Sequence, residues 1–342
     1  MDDDVFSFQW HLTDRCPGGC AHCYQERHDG RSELPAGQFW RLCDNLFDGL
    51  AGRPFTVNLT GGEPLLFERL PRLLQLLQRQ DNLRQVDIIT SGRVLDTGLL
   101  AELAGHECLH GFKLSLESAS PRINDAIRGA GAFAATCRAL EVIGRTTDRP
   151  VVLMVTLSTL NLQDLAGLVE LARRLGAAGL ICERFVPLGR GRRLAGSVLG
   201  PRQWLQVVRS VLQLAGLDED PLRLLGYHAF WLEFDGQEVA GLRAASCNLG
   251  PNSMALMPDG RVFPCRRLPL EVGNLCRQPL AEILRQLEGF QPHRLRRRLH
   301  GRLCASCSLD DCAGCRALAR SAGDWLGDDP RCILWLEREA EG

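Results

Sequence analysis

The chain has 342 residues, 45% hydrophobic and 24% charged, and its 40 Lys and Arg against 41 Asp and Glu leave a net charge of −1. The apolar content excludes a disordered chain, and the balanced charge leaves no global excess to drive sequence-independent binding to nucleic acid or anionic lipid. Fifteen cysteines are the anomaly; in a reducing compartment clustered thiols are more naturally metal ligands than disulfides.

The amino terminus, MDDDVFSFQW, is acidic where a signal peptide is basic, and no later apolar run approaches the roughly 18 residues of a membrane span, so a soluble, cytoplasmic protein is expected. A first strand is predicted over 6–11. Directly after it, Cys16-Pro-Gly-Gly-Cys20-Ala-His-Cys23 places three thiols within eight residues. One loop can wrap three thiolates around a small inorganic core, and three ligands on a [4Fe-4S] cube leave one iron open to an exogenous ligand. A zinc knuckle completed by His22 or a distant residue, or merely a cysteine-rich loop, is the other reading.

A helix follows over 35–50, with Phe39, Leu42, Cys43, Leu46 and Phe47 as one apolar stripe. The second strand, 56–59, runs into Leu59-Thr60-Gly61-Gly62-Glu63-Pro64. In a barrel-like sheet the carboxyl ends of the strands form the active face; two glycines there let backbone approach a ligand, and Glu63 can accept from an ammonium group. Further strands at 85–89, 111–116, 151–157 and 179–185 alternate with helical patterns at 66–78, 99–104, 132–143 and 162–175. This α/β alternation predicts a partial (β/α)6 TIM-like barrel.

The Gly/Arg-rich segment Val186 to Arg193 reads as the loop leaving the last strand, followed by a helix over 201–214 and a mixed apolar stretch, 227–234, with the character of a domain interface. Eight of the fifteen cysteines lie between Cys247 and Cys332. The division expected is a core over 1–200, a bridging helical segment over 201–240 and a small cysteine-rich α+β domain over 241–342, the boundary falling near 235–245. Within the last part, Cys247 and Cys265 flank a hairpin turn at Pro258-Asp-Gly260, and Cys304, Cys307, Cys312 and Cys315 form two close pairs. A gap of four between those pairs is too short for a conventional zinc ribbon. Cys43, Cys137 and Cys182 read as small core residues, and His106-x-Cys108-x-His110 as packing rather than a metal tract. The run Arg294 to Arg298 reads as a solvated basic face, with docking of an acidic peptide or electron donor as the sharper alternative.

Cys16-x3-Cys20-x2-Cys23 followed by Gly61-Gly62-Glu63 resembles the hallmark of the radical S-adenosylmethionine (SAM) superfamily. The resemblance implies that Cys16, Cys20 and Cys23 hold a [4Fe-4S] cluster whose open iron is chelated by SAM. It implies that Gly61, Gly62 and Glu63 receive the methionyl ammonium, and that Ser115 and Arg128 contact SAM. His22 departs from the family pattern, where a bulky aromatic residue is usual. The C-terminal spacing resembles the SPASM auxiliary-cluster module, with two gaps each one residue shorter. By that resemblance Cys304, Cys307, Cys312 and Cys332 hold one auxiliary cluster, and Cys247, Cys265 and Cys315 most of another, which Cys276 can close or which stays open. Three clusters and SAM are thus the expected cofactors.

The function expected is hydrogen abstraction by a 5′-deoxyadenosyl radical to modify a peptide or protein side chain, by thioether formation, carbon–carbon cross-linking or oxidation. A tetrapyrrole or other small-molecule precursor is the alternative, and a non-catalytic Fe–S carrier or zinc-stabilised module is the alternative of another class. A flavodoxin- or ferredoxin-type donor is expected. Only 15 residues precede Cys16, so a leader-bearing peptide would call for a separate recognition protein. No general base is identified.

Overall fold

A computed structural model describes residues 5–224, 226–309 and 312–332. Six parallel strands pair in chain order: β1 (Phe6–Thr13), β2 (Phe55–Gly61), β3 (Leu83–Thr90), β4 (Leu109–Ser115), β5 (Val151–Leu157) and β6 (Gly179–Arg184). Between them run α1 (Ala36–Gly49), α2 (Leu70–Leu77), α3 (Thr97–Ala104), α4 (Pro121–Arg128), α5 (Ala132–Thr146) and α6 (Leu165–Arg174). β1 shows why the layers form: Phe6, Phe8, Trp10 and Leu12 alternate along the strand and are all buried, because successive side chains of a strand point to opposite faces. The Trp10 ring stacks on Phe39 of α1 at 5.7 Å. The stripe expected on α1 is the buried one, Phe39, Leu42, Cys43, Leu46 and Phe47. His11 and Thr13, on the opposite face of the same strand, are buried as well, as the interior face of a barrel requires.

The rest of the chain extends both edges of this sheet. After α7 (Pro201–Leu214), β7 (Ala229–Asp235) pairs antiparallel with β6, and β8 (Glu238–Ala245) with β7. At the other edge β9 (Ser253–Leu256) pairs parallel with β1, and β10 (Arg261–Phe263) and β11 (Gly273–Asn274) follow antiparallel. The result is one open sheet of eleven strands. The helices α8 (Leu280–Leu287), α9 (Pro292–Arg296) and α10 (Arg316–Ser321) complete the described residues.

Two differences from the sequence reading have physical causes. The segment expected to be bridging and helical is helical, among the described residues, in α7 and in a short 3-10 turn at Pro221–Leu224; its apolar stretch is strand β7, which buries Phe230 and Leu232 against the β6 edge. Helix α4 went unpredicted because its buried stripe, Asn124, Ile127 and Arg128, is largely polar. Asn124 earns burial by accepting the Glu117 N–H at 2.9 Å, a tertiary bond that no hydrophobic periodicity encodes.

Candidate functional site

The parallel strands end at one mouth, where a cavity of about 1040 Å³, counted with its open entrance, is lined by Cys16, Cys20, Cys23, Gly61, Ser115 and Arg128 among others. Three elements grip the cysteine loop. The Gly62 and Glu63 N–H groups donate to Thr13 O and Arg15 O, both at 2.8 Å, Ala21 N–H donates to Ile127 O at 2.7 Å, and Gly191 N–H to Cys23 O at 2.9 Å. The first grip explains the glycine pair: a Cβ at Gly61 would lie 2.3 Å from Thr13 O, and one at Gly62 2.3 Å from Arg15 O. Gly61 also has φ +143°, outside the usual range of other residues.

Glu63 is fully buried. Its carboxylate accepts from Thr90 Oγ1 at 2.6 Å, Ser91 Oγ at 2.5 Å and Ser91 N at 3.0 Å, so it is engaged with the end of β3. Glu63→Gln turns one acceptor oxygen into a donor facing these donors. A loss of about 1–3 kcal/mol in urea unfolding is expected, and an unchanged midpoint would refute the role.

Glu117 is the residue the sequence reading missed. It is buried and accepts from Arg128 Nη1 at 2.9 Å and Thr156 N at 2.7 Å, with His22 Nε2 3.2 Å away. Burial alone would raise its carboxyl, but His22, Arg128 and the Thr156 N–H hold it at about 2. His22 of the cysteine loop and Arg128 are thereby tied to one carboxylate. The available signal was the strand period: Glu117 stands two residues after Ser115, on the same face. Because the folded carboxyl lies below the ordinary value of 4.5, its stabilisation is complete above that value and drains away as the pH falls towards 2. Acid unfolding of the apoprotein is expected to be less steep between these limits in Glu117→Gln; superimposable curves would contradict this.

The far wall comes from the C-terminal half. Arg266 and Arg267 line the same cavity and share Glu183 of β6, Arg266 Nη2 at 2.7 Å from its Oε2. The Arg266 guanidinium also lies 5.3 Å from the Tyr24 ring centroid, and Tyr24 OH donates to Gly61 O at 3.4 Å. Nothing local in the sequence ties residue 266 to residue 24.

A second cavity, of about 600 Å³, is lined by Cys304, Cys307, Cys312 and Cys332 together with Arg184 and Arg331. Cys247, Cys265 and Cys315 form another group, close enough that Cys315 and Cys265 add to the burial that pushes the Cys247 thiol up to about 12. The structure does not bring Cys276 to them. It is exposed, has Asp259, Arg277 and Arg41 as charged neighbours, and lies beside Gly260, where a Cβ would be 2.7 Å from its Sγ. Gly260 precedes β10 and Cys265 follows it, so the two flank opposite ends of that strand.

The thiols fit iron–sulfur clusters. Cys16, Cys23, Cys265 and Cys312 each accept the backbone N–H two residues on, at 3.3–3.4 Å, a turn that aims a donor at sulfur and favours the anionic ligand. Cys16 and Cys20 converge on Gly18, where a Cβ would be 3.3 and 3.6 Å from their sulfurs. Burial pushes Cys23 up to about 11, a cost that coordination to a cation reverses. By contrast Cys43 and Cys182 are buried in the apolar core, and Cys108 Sγ donates to Leu74 O at 3.6 Å. His110 lies 3.0 Å from Asp87. The basic run is structural in part: Arg296 Nη2 donates to Cys307 O at 2.8 Å and Arg298 lies 5.0 Å from the Trp325 ring centroid.

Residues 10–172 match the radical SAM superfamily, and residues 247–313 match the iron–sulfur cluster-binding SPASM domain. The AdoMet-dependent heme synthase of Methanosarcina barkeri is 30% identical over 345 residues, covering 95% of each chain. The chain belongs to the radical SAM superfamily. This radical SAM enzyme is also 28% identical over 349 residues to the mycofactocin maturase MftC of Mycobacterium ulcerans, covering 97% of this chain and 88% of that one. Its fold matches the solved structure of anSMEcpe with bound AdoMet and Cp18Cys peptide, at TM-score 0.71 and 17% identity over 98% of this chain and 95% of the other. The enzyme uses iron–sulfur chemistry and SAM, and its partial-barrel fold is the one the sequence predicts. Among the described residues no helix is long and apolar enough to cross a membrane.

Proposed function

We propose that Cys16, Cys20 and Cys23 hold a [4Fe-4S] cluster beside SAM, that Cys304, Cys307, Cys312 and Cys332 hold a second, and that Cys247, Cys265 and Cys315 hold a third. When bound, the reduced first cluster and SAM supply a 5′-deoxyadenosyl radical that takes hydrogen from an unactivated carbon. The protein orients and protects: Gly61, Gly62, Ser115 and Arg128 surround SAM, Glu63 sets the loop after β3, and Arg266 and Arg267 close the mouth against water. The observation that carries this reading is the cavity itself, which gathers the cysteine triad, Gly61, Gly62, Ser115 and Arg128 around one space.

The substrate proposed is a peptide or protein side chain, modified by thioether formation, cross-linking or oxidation. The full-length likeness to a mycofactocin maturase supports it. An electron donor of flavodoxin or ferredoxin type and a separate leader-recognition protein would complete the system. A second reading, a tetrapyrrole of the haem pathway, is supported by the 30% identity to a heme synthase over 95% of both chains. It is supported too by the cavity wall, where Arg93, Arg128, Arg184, Arg266 and Arg267 outnumber Glu117 and Glu183 and suit a substrate rich in carboxylates.

The test is anaerobic. Reduced, reconstituted enzyme with SAM is expected to yield 5′-deoxyadenosine, and none would overturn the reading. Deuterated substrates then separate the two classes: label passing into 5′-deoxyadenosine from a peptide encoded beside the gene supports the first, and label from a carboxylated tetrapyrrole supports the second.

A further inference from the structure

Arg184, the last residue of β6, lines both cavities and is the one wall residue they share. It is 4% exposed. Its guanidinium lies 4.9 Å from the Trp204 ring centroid, and Nη1 is 3.9 Å from Asp329 Oδ2, but Nη2 is buried with no hydrogen-bond partner among the described residues. Arg331, beside it in the second cavity, donates from Nη1 to Phe185 O at 3.1 Å, yet its Nε and Nη2 are buried and have no hydrogen-bond partner among the described residues. A buried cation left short of counter-charge costs several kcal/mol, so such a pair signals an anionic group that the described side chains do not supply. Asp329 is not enough for two guanidiniums, since its Oδ2 also accepts the Cys315 N–H at 2.8 Å.

Arg184 shares a cavity wall with Cys304, Cys307, Cys312 and Cys332, its partner Asp329 takes the N–H of Cys315 from the other cysteine group, and Arg316 Nη2 donates to Cys304 Sγ at 3.4 Å on the far side. A cube ligated by thiolates is anionic, and each electron it accepts adds negative charge, which a fixed cation in a low-dielectric interior stabilises.

We propose that Arg184 is the shared counter-charge of the two C-terminal clusters, a positioning residue that raises the reduction potential of both at once. This rests on the reading that those seven thiols hold clusters. The role differs from that of Arg316, which donates to Cys304 Sγ and to the Gly314, Trp325 and Gly327 carbonyls.

The test is a potentiometric titration of the full-length holoenzyme followed by electron paramagnetic resonance, the N-terminal cluster being identified by the change in its signal on adding SAM. In Arg184→Gln the reduced-to-oxidised ratio of both C-terminal clusters at fixed potential is expected to fall about tenfold, equivalent to about 59 mV for a one-electron couple. In Arg184→Lys it should stay near that of the wild type. Loss of C-terminal iron from Arg184→Gln but not from Arg184→Lys supports the same charge requirement. Full iron with unmoved potentials, a shift in only one C-terminal cluster, or equal loss in both variants overturns the role of Arg184. A wild-type chain that binds no iron beyond the N-terminal cluster overturns the cluster reading, and the proposal with it.

Discussion

Replacing Cys16, Cys20 and Cys23 together with alanine is expected to lower the iron content from about twelve to about eight atoms per chain, at four per cube, and to abolish 5′-deoxyadenosine formation. The three sulfurs belong to one loop held from three sides, by the end of β2, by the end of α4 and by the loop after β6. Two of them accept N–H groups from within that loop. The C-terminal thiols are held by a separate set of contacts, such as Asp329 N–H to Cys304 Sγ at 3.3 Å, so their iron should remain. Iron and sulfide assays on protein reconstituted without oxygen check the first half, and chromatography of the SAM reaction checks the second. Iron unchanged by the triple substitution, or zinc in its place, would remove the basis of the radical mechanism.

Alanine at Gly62 is expected to be nearly as damaging, although it removes none of the thiols proposed to hold iron. The new Cβ would meet Arg15 O at 2.3 Å and Arg15 C at 2.7 Å; both are backbone, so no side chain can swing away. Relief requires breaking the Glu63 N–H to Arg15 O bond and shifting the loop that carries the thiols. A loss of roughly 3–5 kcal/mol is expected, or, where the fold tolerates the shift, loss of the N-terminal cluster with C-terminal iron retained. Gly61→Ala should behave alike, because its Cβ meets Thr13 O and its φ is unfavourable as well. The control lies in the same loop: a Cβ at Gly19 meets nothing within 4 Å, so Gly19→Ala should keep both its iron and its urea midpoint. Equal tolerance at Gly62 and Gly19 would show that the loop is not clamped to β2.

Much of the molecule is legible in the sequence because its signals are local. The Cys16 to Cys23 triad lies in one loop, and the strand and helix periods of 6–185 mark the barrel, since covalent spacing alone brings those thiols together and burial of one face imposes the periods. The same holds for Cys304, Cys307 and Cys312, which with the distant Cys332 line one cavity.

Other features had no such signal. Strands β9 and β7 could not be assigned to opposite edges of the barrel sheet, because edge pairing depends on which backbone groups the rest of the fold leaves open. Cys276 lies near its expected partners in sequence but on the wrong side of β10. Glu183 gathers Arg266 and Arg267 from 83 and 84 residues away, and Arg184 stands between two cysteine groups that lie more than sixty residues beyond it in the chain. Spacing within a loop is fixed by covalent bonds and is therefore written in the sequence. Where a buried charge finds its counter-charge depends on which surfaces pack together, and that is decided only when those surfaces meet in the folded chain.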